Sequence, residues 1–169
     1  MHLRALLLAA PAALLLIGCD TGSDDVSGPI DPPAAVNLNA LVQDTTEAGL
    51  ALYRARWNAQ GVEDYRFDLL ERCICLRHLY RYRVAVRDGR PVQMEVTREE
   101  EEVPIIEPRP PDTVEEIFAL LQDAFDGDTT RVFVGYVPET GLPAALYIDY
   151  NVRIADEELD YTITAFEAD

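Results

Sequence analysis

Apolar and polar residues alternate along three consecutive stretches between residues 65 and 97. Tyr65, Phe67 and Leu69 begin the first stretch, and the same period of two recurs in the next two. This period predicts strands that bury one face and leave the other in water. Asp88-Gly89 separates the second and third stretches and is a strong signal for a two-residue hairpin. Three further strands are expected around Arg131–Val137, Ala144–Tyr150 and Leu159–Phe166.

Two other stretches have the spacing of an amphipathic helix, with apolar residues three and four positions apart. The first helix is predicted over about Thr45–Ala59 and the second over about Thr113–Asp126. Asp44 and Asp112 precede them and are expected to act as N-caps, because a carboxylate accepts hydrogen bonds from the free amides of the first turn.

The order of these elements indicates an α+β fold, in which one antiparallel sheet carries two helices on its buried face. A shift of 68 residues lays Asp44–Glu47 onto Asp112–Glu115. Each half then consists of a helix followed by three strands, so the fold is expected to contain a tandem repeat.

An apolar run from Ala5 to Ile17 follows a short basic start, and the run is too short to span a bilayer. It predicts an export signal over residues 1–18. Its ending, Leu16-Ile17-Gly18-Cys19, resembles the lipobox of bacterial lipoproteins. That resemblance implies cleavage before Cys19 and attachment of a diacylglyceryl group to its sulfur, with a further acyl chain such as palmitate on the freed amine. Two or more chains hold a protein stably on a bilayer.

Three segments follow from this reading of the N-terminus. Residues 1–18 form the signal peptide, residues 19–39 a lipidated cysteine and disordered tether rich in Asp, Gly, Ser and Pro, and residues 40–169 one domain. The domain is expected outside the cytoplasm, in the cell envelope, with the lipid bilayer as its partner through acylated Cys19.

The chain is strongly acidic, with a net charge of −17. Such a charge repels phosphate backbones, which excludes nucleic acid as a partner. The sequence has no lysine, its only serines are Ser23 and Ser27, and its only histidine beyond the signal is His78. A Ser-His-Asp triad would need a serine from the tether, which cannot hold it in place. We therefore expect no enzyme activity and no cofactor.

Cys73-Ile74-Cys75, with His78 nearby, is the one local cluster with chemical potential. Three interpretations stay open. The cysteines could form a disulfide, which export to an oxidising compartment favours. They could be two buried thiols. They could also form a Cys-x-Cys-x-x-His site for a soft metal or for thiol redox chemistry. Asp149 lies on the opposite parity from Leu146 and Ile148, which predicts that it faces solvent or a loop.

A set of residues spread over positions 45–166 resembles an uncharacterised domain-of-unknown-function family of bacterial lipoproteins. The set comprises Trp57, Tyr65, Cys73-x-Cys75, Asp88-Gly89, Thr113-Val114, Phe118, Tyr136, Gly141-x-Pro143, Asp149 and Asp156-Glu157. The resemblance implies a fold and a location but no activity. The expected layout is also similar to beta-lactamase-inhibitor-like and PepSY-like modules, which bind proteins.

The leading hypothesis is thus a lipid-anchored, non-enzymatic envelope protein that binds an unknown envelope protein or acts as a structural module. The alternative is thiol-redox or soft-metal handling through Cys73, Cys75 and His78.

Overall fold

The computed structural model describes residues 28–73, 78–97, 109–154 and 157–169. Seven strands form one antiparallel sheet in the order β1-β5-β6-β7-β2-β3-β4. The strands are β1 (Val42–Gln43), β2 (Tyr65–Cys73), β3 (His78–Arg87), β4 (Arg90–Thr97), β5 (Arg131–Tyr136), β6 (Pro143–Asp149) and β7 (Leu159–Ala168). The six strands predicted from the alternation are confirmed, and the two-residue β1 is an addition.

Two helices, α1 (Glu47–Asn58) and α2 (Val114–Asp126), pack on one face of this sheet. Their buried residues join the strand residues of matching parity in one core, in which the Trp57 and Tyr65 rings meet edge to face with centroids 5.9 Å apart. Trp57 is buried, as expected of a core residue on the α1 stripe. The opposite side of the sheet is called the open face below.

The expected α+β class is wrong: the protein is mainly β. A helix followed by three strands does occur twice along the chain, but all the strands belong to one sheet. The helices contain only 12 and 13 residues, while β7 pairs with β2 along most of both strands and joins all seven strands into one sheet. The spacing of apolar residues identifies each helix and strand, but it does not show which strands pair with each other. Pairing between strands of the two halves determines the architecture.

The helix caps also differ from the expectation. Thr46 caps α1 by accepting from the Gly49 amide at 3.0 Å, and Thr113 caps α2 by accepting from the Glu116 amide at 3.1 Å. Each threonine stands one or two residues beyond the aspartate that we expected. Asp44 instead accepts from the hydroxyl of Thr46 at 2.7 Å, which holds the cap in place.

Residues 28–36 run against the sheet along a defined path. The Ile30 amide donates to Glu95 of β4 at 2.8 Å, and the Val36 amide donates to the Thr164 carbonyl of β7 at 2.9 Å. A 3-10 helix, Leu38–Ala40, then leads into β1. The second part of the expected tether therefore has contacts with the domain. Within the described residues, no helix has the length and hydrophobicity that a bilayer crossing requires.

Candidate functional site: an open-face groove and the cysteine hairpin

The structure places two of the predicted site residues at the end of one hairpin. Cys73 is the last residue of β2 and His78 the first of β3, and the two are direct partners in the register. Cys75 and Cys19 lie outside the described residues, so neither the disulfide nor the lipid attachment is tested. No group of three or more metal-ligating side chains occurs in the described part of the chain.

A carboxylate held by two phenols lies next to this hairpin. The Tyr82 hydroxyl donates to Glu71 at 2.8 Å and the Tyr161 hydroxyl donates to the same carboxylate at 3.4 Å. Burial, followed by the charge and hydrogen bond of Glu71, raises the pKa of both phenols. The cluster connects β2, β3 and β7 at the end of the sheet where the cysteine hairpin begins.

A second polar cluster fixes the helices on the sheet. Glu115, in the first turn of α2, accepts from the Trp57 indole nitrogen and from the Tyr65 hydroxyl, both at 2.9 Å. The Tyr65 hydroxyl in turn accepts from the Val114 amide at 3.0 Å. These bonds satisfy buried donors of α1, β2 and α2 together, so we assign the cluster a structural role.

The open face carries a groove of about 440 Å³ over β5, β6 and β7. Gly135 and Ala145 oppose each other in the register and have little or no side chain, and the Leu41 side chain packs over Gly135. Leu41 and the 3-10 helix residues Leu38 and Asn39 form one wall. The volume falls within the range of about 300–1,000 Å³ that is usual for binding sites.

A row of four side chains crosses the groove, one from each of four neighbouring strands. Phe133 of β5 pairs with Tyr147 of β6, and Tyr147 pairs with Asp160 of β7. Asp160 then forms an ion pair with Arg72 of β2 at 3.2 Å. We call these four residues the groove row.

The aromatic end of the groove row is accessible. Phe133 is 52 % exposed, and its ring centroid lies 6.2 Å from that of Tyr147. Leu38, on the wall, is 41 % exposed. A large aromatic side chain left in water within a concave surface is typical of a recognition site.

The charge around Tyr147 is mainly negative. Burial of the ring is the largest cause of a raised pKa at its phenol. Three nearby carboxylates raise the pKa further, and these are Asp149, Glu158 and Asp160. Arg131 lowers it, but less than Asp149 and Glu158 raise it.

Asp149 follows Tyr147 by two positions on β6 and therefore shares its face. The residue is only 4 % exposed, so the prediction that it faces solvent or a loop is wrong. Its Oδ1 atom is buried and has no hydrogen-bond partner among the described residues. Arg131 is its cross-strand partner, yet no ion pair joins them within the part of the chain that the structure describes. A buried carboxylate oxygen without a partner is energetically costly and calls for a donor.

Sequence reasoning found the strands of this groove but not the groove itself. The available signal was parity: Phe133 and Tyr147 stand on the face opposite to the buried residues Val134, Leu146 and Ile148. Two aromatic residues at water-facing positions of adjacent predicted strands indicate a surface with a role beyond solubility.

Fold and groove together define a mainly β module with a concave surface on the sheet face away from the helices, where the Phe133 ring is exposed. The family of unknown function DUF6174 matches residues 49–168, and the chain belongs to this family. The match runs from the first turn of α1 to the end of β7, which confirms the expectation of an uncharacterised domain family. No curated protein matches the chain, and neither does any solved structure.

Proposed function

We propose that this protein is a lipid-anchored, non-enzymatic component of the bacterial cell envelope that binds a partner protein through the groove on its open face. The observation that carries the proposal is the exposed aromatic end of the groove row, where Phe133 projects into water beside Tyr147. Exposed aromatic anchors in a concave surface dominate the energetics of many protein interfaces.

The lipobox-like ending supports the anchor. The path of residues 28–36 limits the distance between the lipid and the sheet. If the chain is cleaved before Cys19, nine residues separate the lipid from Gly28, whose carbonyl accepts from Gln93 of β4 at 2.9 Å. Nine residues reach at most about 32 Å when fully extended. The β4 edge of the sheet then stays near the bilayer, and the groove, over the strands toward the opposite edge, is available to a partner.

The anchor is tested by the N-terminal peptide of the native protein. We expect mass spectrometry to find residue 19 as the first residue, carrying acyl chains, and Cys19→Ser to release the protein from membranes. An unprocessed N-terminus or a membrane-free native protein would contradict the anchor.

The groove is tested by crosslinked capture from envelopes with paired variants. The native chain is expected to retain one stoichiometric partner, and Phe133→Ser to lose it. Val92→Ser is the matched control, since Val92 is an exposed apolar residue of β4 on the opposite edge of the sheet. Retention of the partner by Phe133→Ser would refute the groove as the binding surface.

A second candidate function is thiol-redox or soft-metal handling through Cys73, Cys75 and His78. The register that pairs Cys73 with His78 favours it, because a thiol and an imidazole on adjacent strands can serve one metal or one proton transfer. Intact mass spectrometry distinguishes the states: a mass about 2 Da below that of the reduced chain indicates a disulfide. Copurifying zinc or copper that disappears in Cys73→Ser would support the metal site.

A further inference from the structure

Strand β1 covers only one end of the outer side of β5. It pairs with Tyr136 and Gly135, and the Asp44 amide next donates to the Val134 carbonyl at 3.2 Å. Backbone groups two positions apart along a strand point to the same side, so the N–H and C=O of Val132 also face away from β6. Beyond this point no strand of the described chain lies beside β5 on that side.

The chain turns away at the residue that would continue this pairing. The register of β1 and β5 would place Thr46 opposite Val132. The Thr46 amide instead donates to the Asp44 side chain at 3.1 Å, and the Thr46 carbonyl accepts from the Leu50 amide of α1 at 2.9 Å. Both backbone groups of Thr46 are therefore engaged, and those of Val132 are left for another strand. We call the outward side of residues 131–133 the free edge.

The opposite edge of the sheet, formed by β4, is a poorer template for strand addition. Pro91 has no amide to donate, and the register of β4 shifts beside it. A proline and a β-bulge on an edge strand both oppose pairing with another chain. The register shift of β5 lies between Gly135 and Tyr136, in the part that β1 covers. The free edge of β5 therefore has neither of these protections.

The free edge borders the groove, because Phe133 and Val134 are among the residues that line it. The backbone groups of Phe133 point to β6, on the side away from those of Val132. In a strand added beside β5, Phe133 would thus belong to a non-hydrogen-bonded pair, in which the two side chains lie closest. The Phe133 ring is 52 % exposed, so an aromatic or β-branched side chain at the paired position would pack directly on it.

We propose that a short extended segment of the partner protein adds to the free edge of β5 as a further strand. Its backbone bonds to the N–H and C=O of Val132, and an aromatic or β-branched side chain packs on Phe133 in the groove. Backbone bonds supply affinity in this mode of recognition, and the alternate side chains supply specificity. This inference rests on the proposed function and adds the mode of binding to it.

The probe is a capped peptide, acetyl-Lys-Thr-Val-Thr-Val-Thr-Lys-amide, titrated into the chain without its export signal. Amide shifts in nitrogen-15 correlation spectra report the site. With a valine packed on Phe133, the threonine amides point at β5 and the valine amides point away from it. We expect shifts at residues 131–134 from this peptide and from a version N-methylated at every valine. A version N-methylated at every threonine should cause none.

Val132→Pro removes the outward amide of β5 and keeps the bonds to β6, which come from the residues on either side of it. It should weaken the unmethylated peptide by about fivefold, the loss expected for one hydrogen bond. Val132→Ala is the matched control, since it shortens the same half-buried side chain but keeps the amide, and it should bind like the native chain. Amide spectra of both variants show whether the sheet is intact, and the N-methylated peptides decide alone if Val132→Pro does not fold.

Four results would overturn the inference: equal binding of the two N-methylated peptides, shifts confined to other surfaces, equal binding by folded Val132→Pro and Val132→Ala, or no shifts at all. A dimer in solution that Val132→Pro dissociates would also overturn it, by assigning the free edge to a second copy of the chain. If capture from envelopes is lost in Phe133→Ser but kept in Val132→Pro, only strand addition has failed. If capture is insensitive to Phe133→Ser, the proposed function has failed as well.

Discussion

Arg83 binds Asp68 at two points across the β2–β3 pair, from Nε to Oδ1 at 2.7 Å and from Nη2 to Oδ2 at 2.9 Å. The two residues are direct partners in the register, and Asp68 is only 6 % exposed. The third nitrogen, Nη1, donates to the Ile30 carbonyl at 3.3 Å. One guanidinium thus joins two strands and the N-terminal segment on the open face.

Asp68→Asn should lower the free energy of unfolding by about 2 kcal/mol, because it leaves the guanidinium of Arg83 without its carboxylate in a poorly hydrated place. Urea unfolding followed by circular dichroism measures the change. Arg72→Gln is the matched control: its ion pair with Asp160 is more exposed, and its loss should change stability by less than about 1 kcal/mol. Equal losses of stability in the two variants would contradict the claim that the Asp68–Arg83 pair stabilises the fold more than the Arg72–Asp160 pair does.

The N-terminal segment should behave as part of the domain. Ile30 is 8 % exposed, and Ile30→Ala should destabilise the protein by about 2 kcal/mol through lost burial. Hydrogen exchange gives a second measurement: the Val36 and Phe166 amides, which bond across the junction with β7, should be protected in the native chain. Rapid exchange at both amides would mean that residues 28–36 do not belong to the fold.

The sequence predicts those features of the fold that depend on residues close together along the chain, and it misses those that depend on residues far apart. Local periodicity of apolar residues predicts the strands around Tyr65 and Tyr82 and the amphipathic helix that ends at Asp126. The groove does not, because Phe133, Tyr147, Asp160 and Arg72 meet only once the strand order is known. The burial of Asp149 is likewise a consequence of tertiary packing.

The same limit explains the error in fold class. The sequence patterns of the helices and of the strands are equally clear, so they predict a fold in which helices and strands have equal weight. Pairing of β7 with β2 across the two halves instead produces one dominant sheet. The sequence predicts Asp44 and Asp112 as helix caps, whereas Thr46 and Thr113 are the caps. Aspartate and threonine are both good N-cap residues, and sequence alone does not distinguish them when they stand close together.

Stability should fall at alkaline pH. Burial is the main cause that raises the pKa of six phenols above the ordinary value of 10.0, and the shift is large for Tyr65, Tyr82, Tyr136 and Tyr161. Above pH 10 the unfolded chain releases these protons while the folded chain keeps them, so stability is full below that pH and falls as the pH rises. The slope is about 1.4 kcal/mol per pH unit for each phenol. Urea midpoints between pH 7 and 11 measure it, and midpoints that stay level above pH 10 would contradict the argument.

Tyr136→Phe separates one of these phenols from the rest. The Tyr136 ring stacks on Tyr53 with centroids 4.2 Å apart, which phenylalanine preserves, and its buried hydroxyl has no hydrogen-bond partner in the described chain. The free energy of unfolding at pH 7 should therefore stay level or rise by up to about 1 kcal/mol. Above pH 10, the decrease of stability with pH should become smaller by the contribution of one phenol, about 1.4 kcal/mol per pH unit. Tyr65→Phe is the contrast, because it loses the bonds to Glu115 and Val114 and should destabilise at pH 7.

Gly141 should be the least replaceable glycine of the domain. Its φ is +82°, and an added Cβ would lie 2.3 Å from the Tyr53 carbonyl oxygen and 2.9 Å from the Trp57 amide nitrogen, both backbone atoms of α1 that cannot move aside. Gly89 has a φ of +67° but open space around it, so Gly89→Ala carries the conformational penalty alone, about 1 kcal/mol. Gly141→Ala adds the clash and should cost at least about 3 kcal/mol in urea unfolding. Similar losses for the two variants would show that the β5–β6 turn does not press against α1.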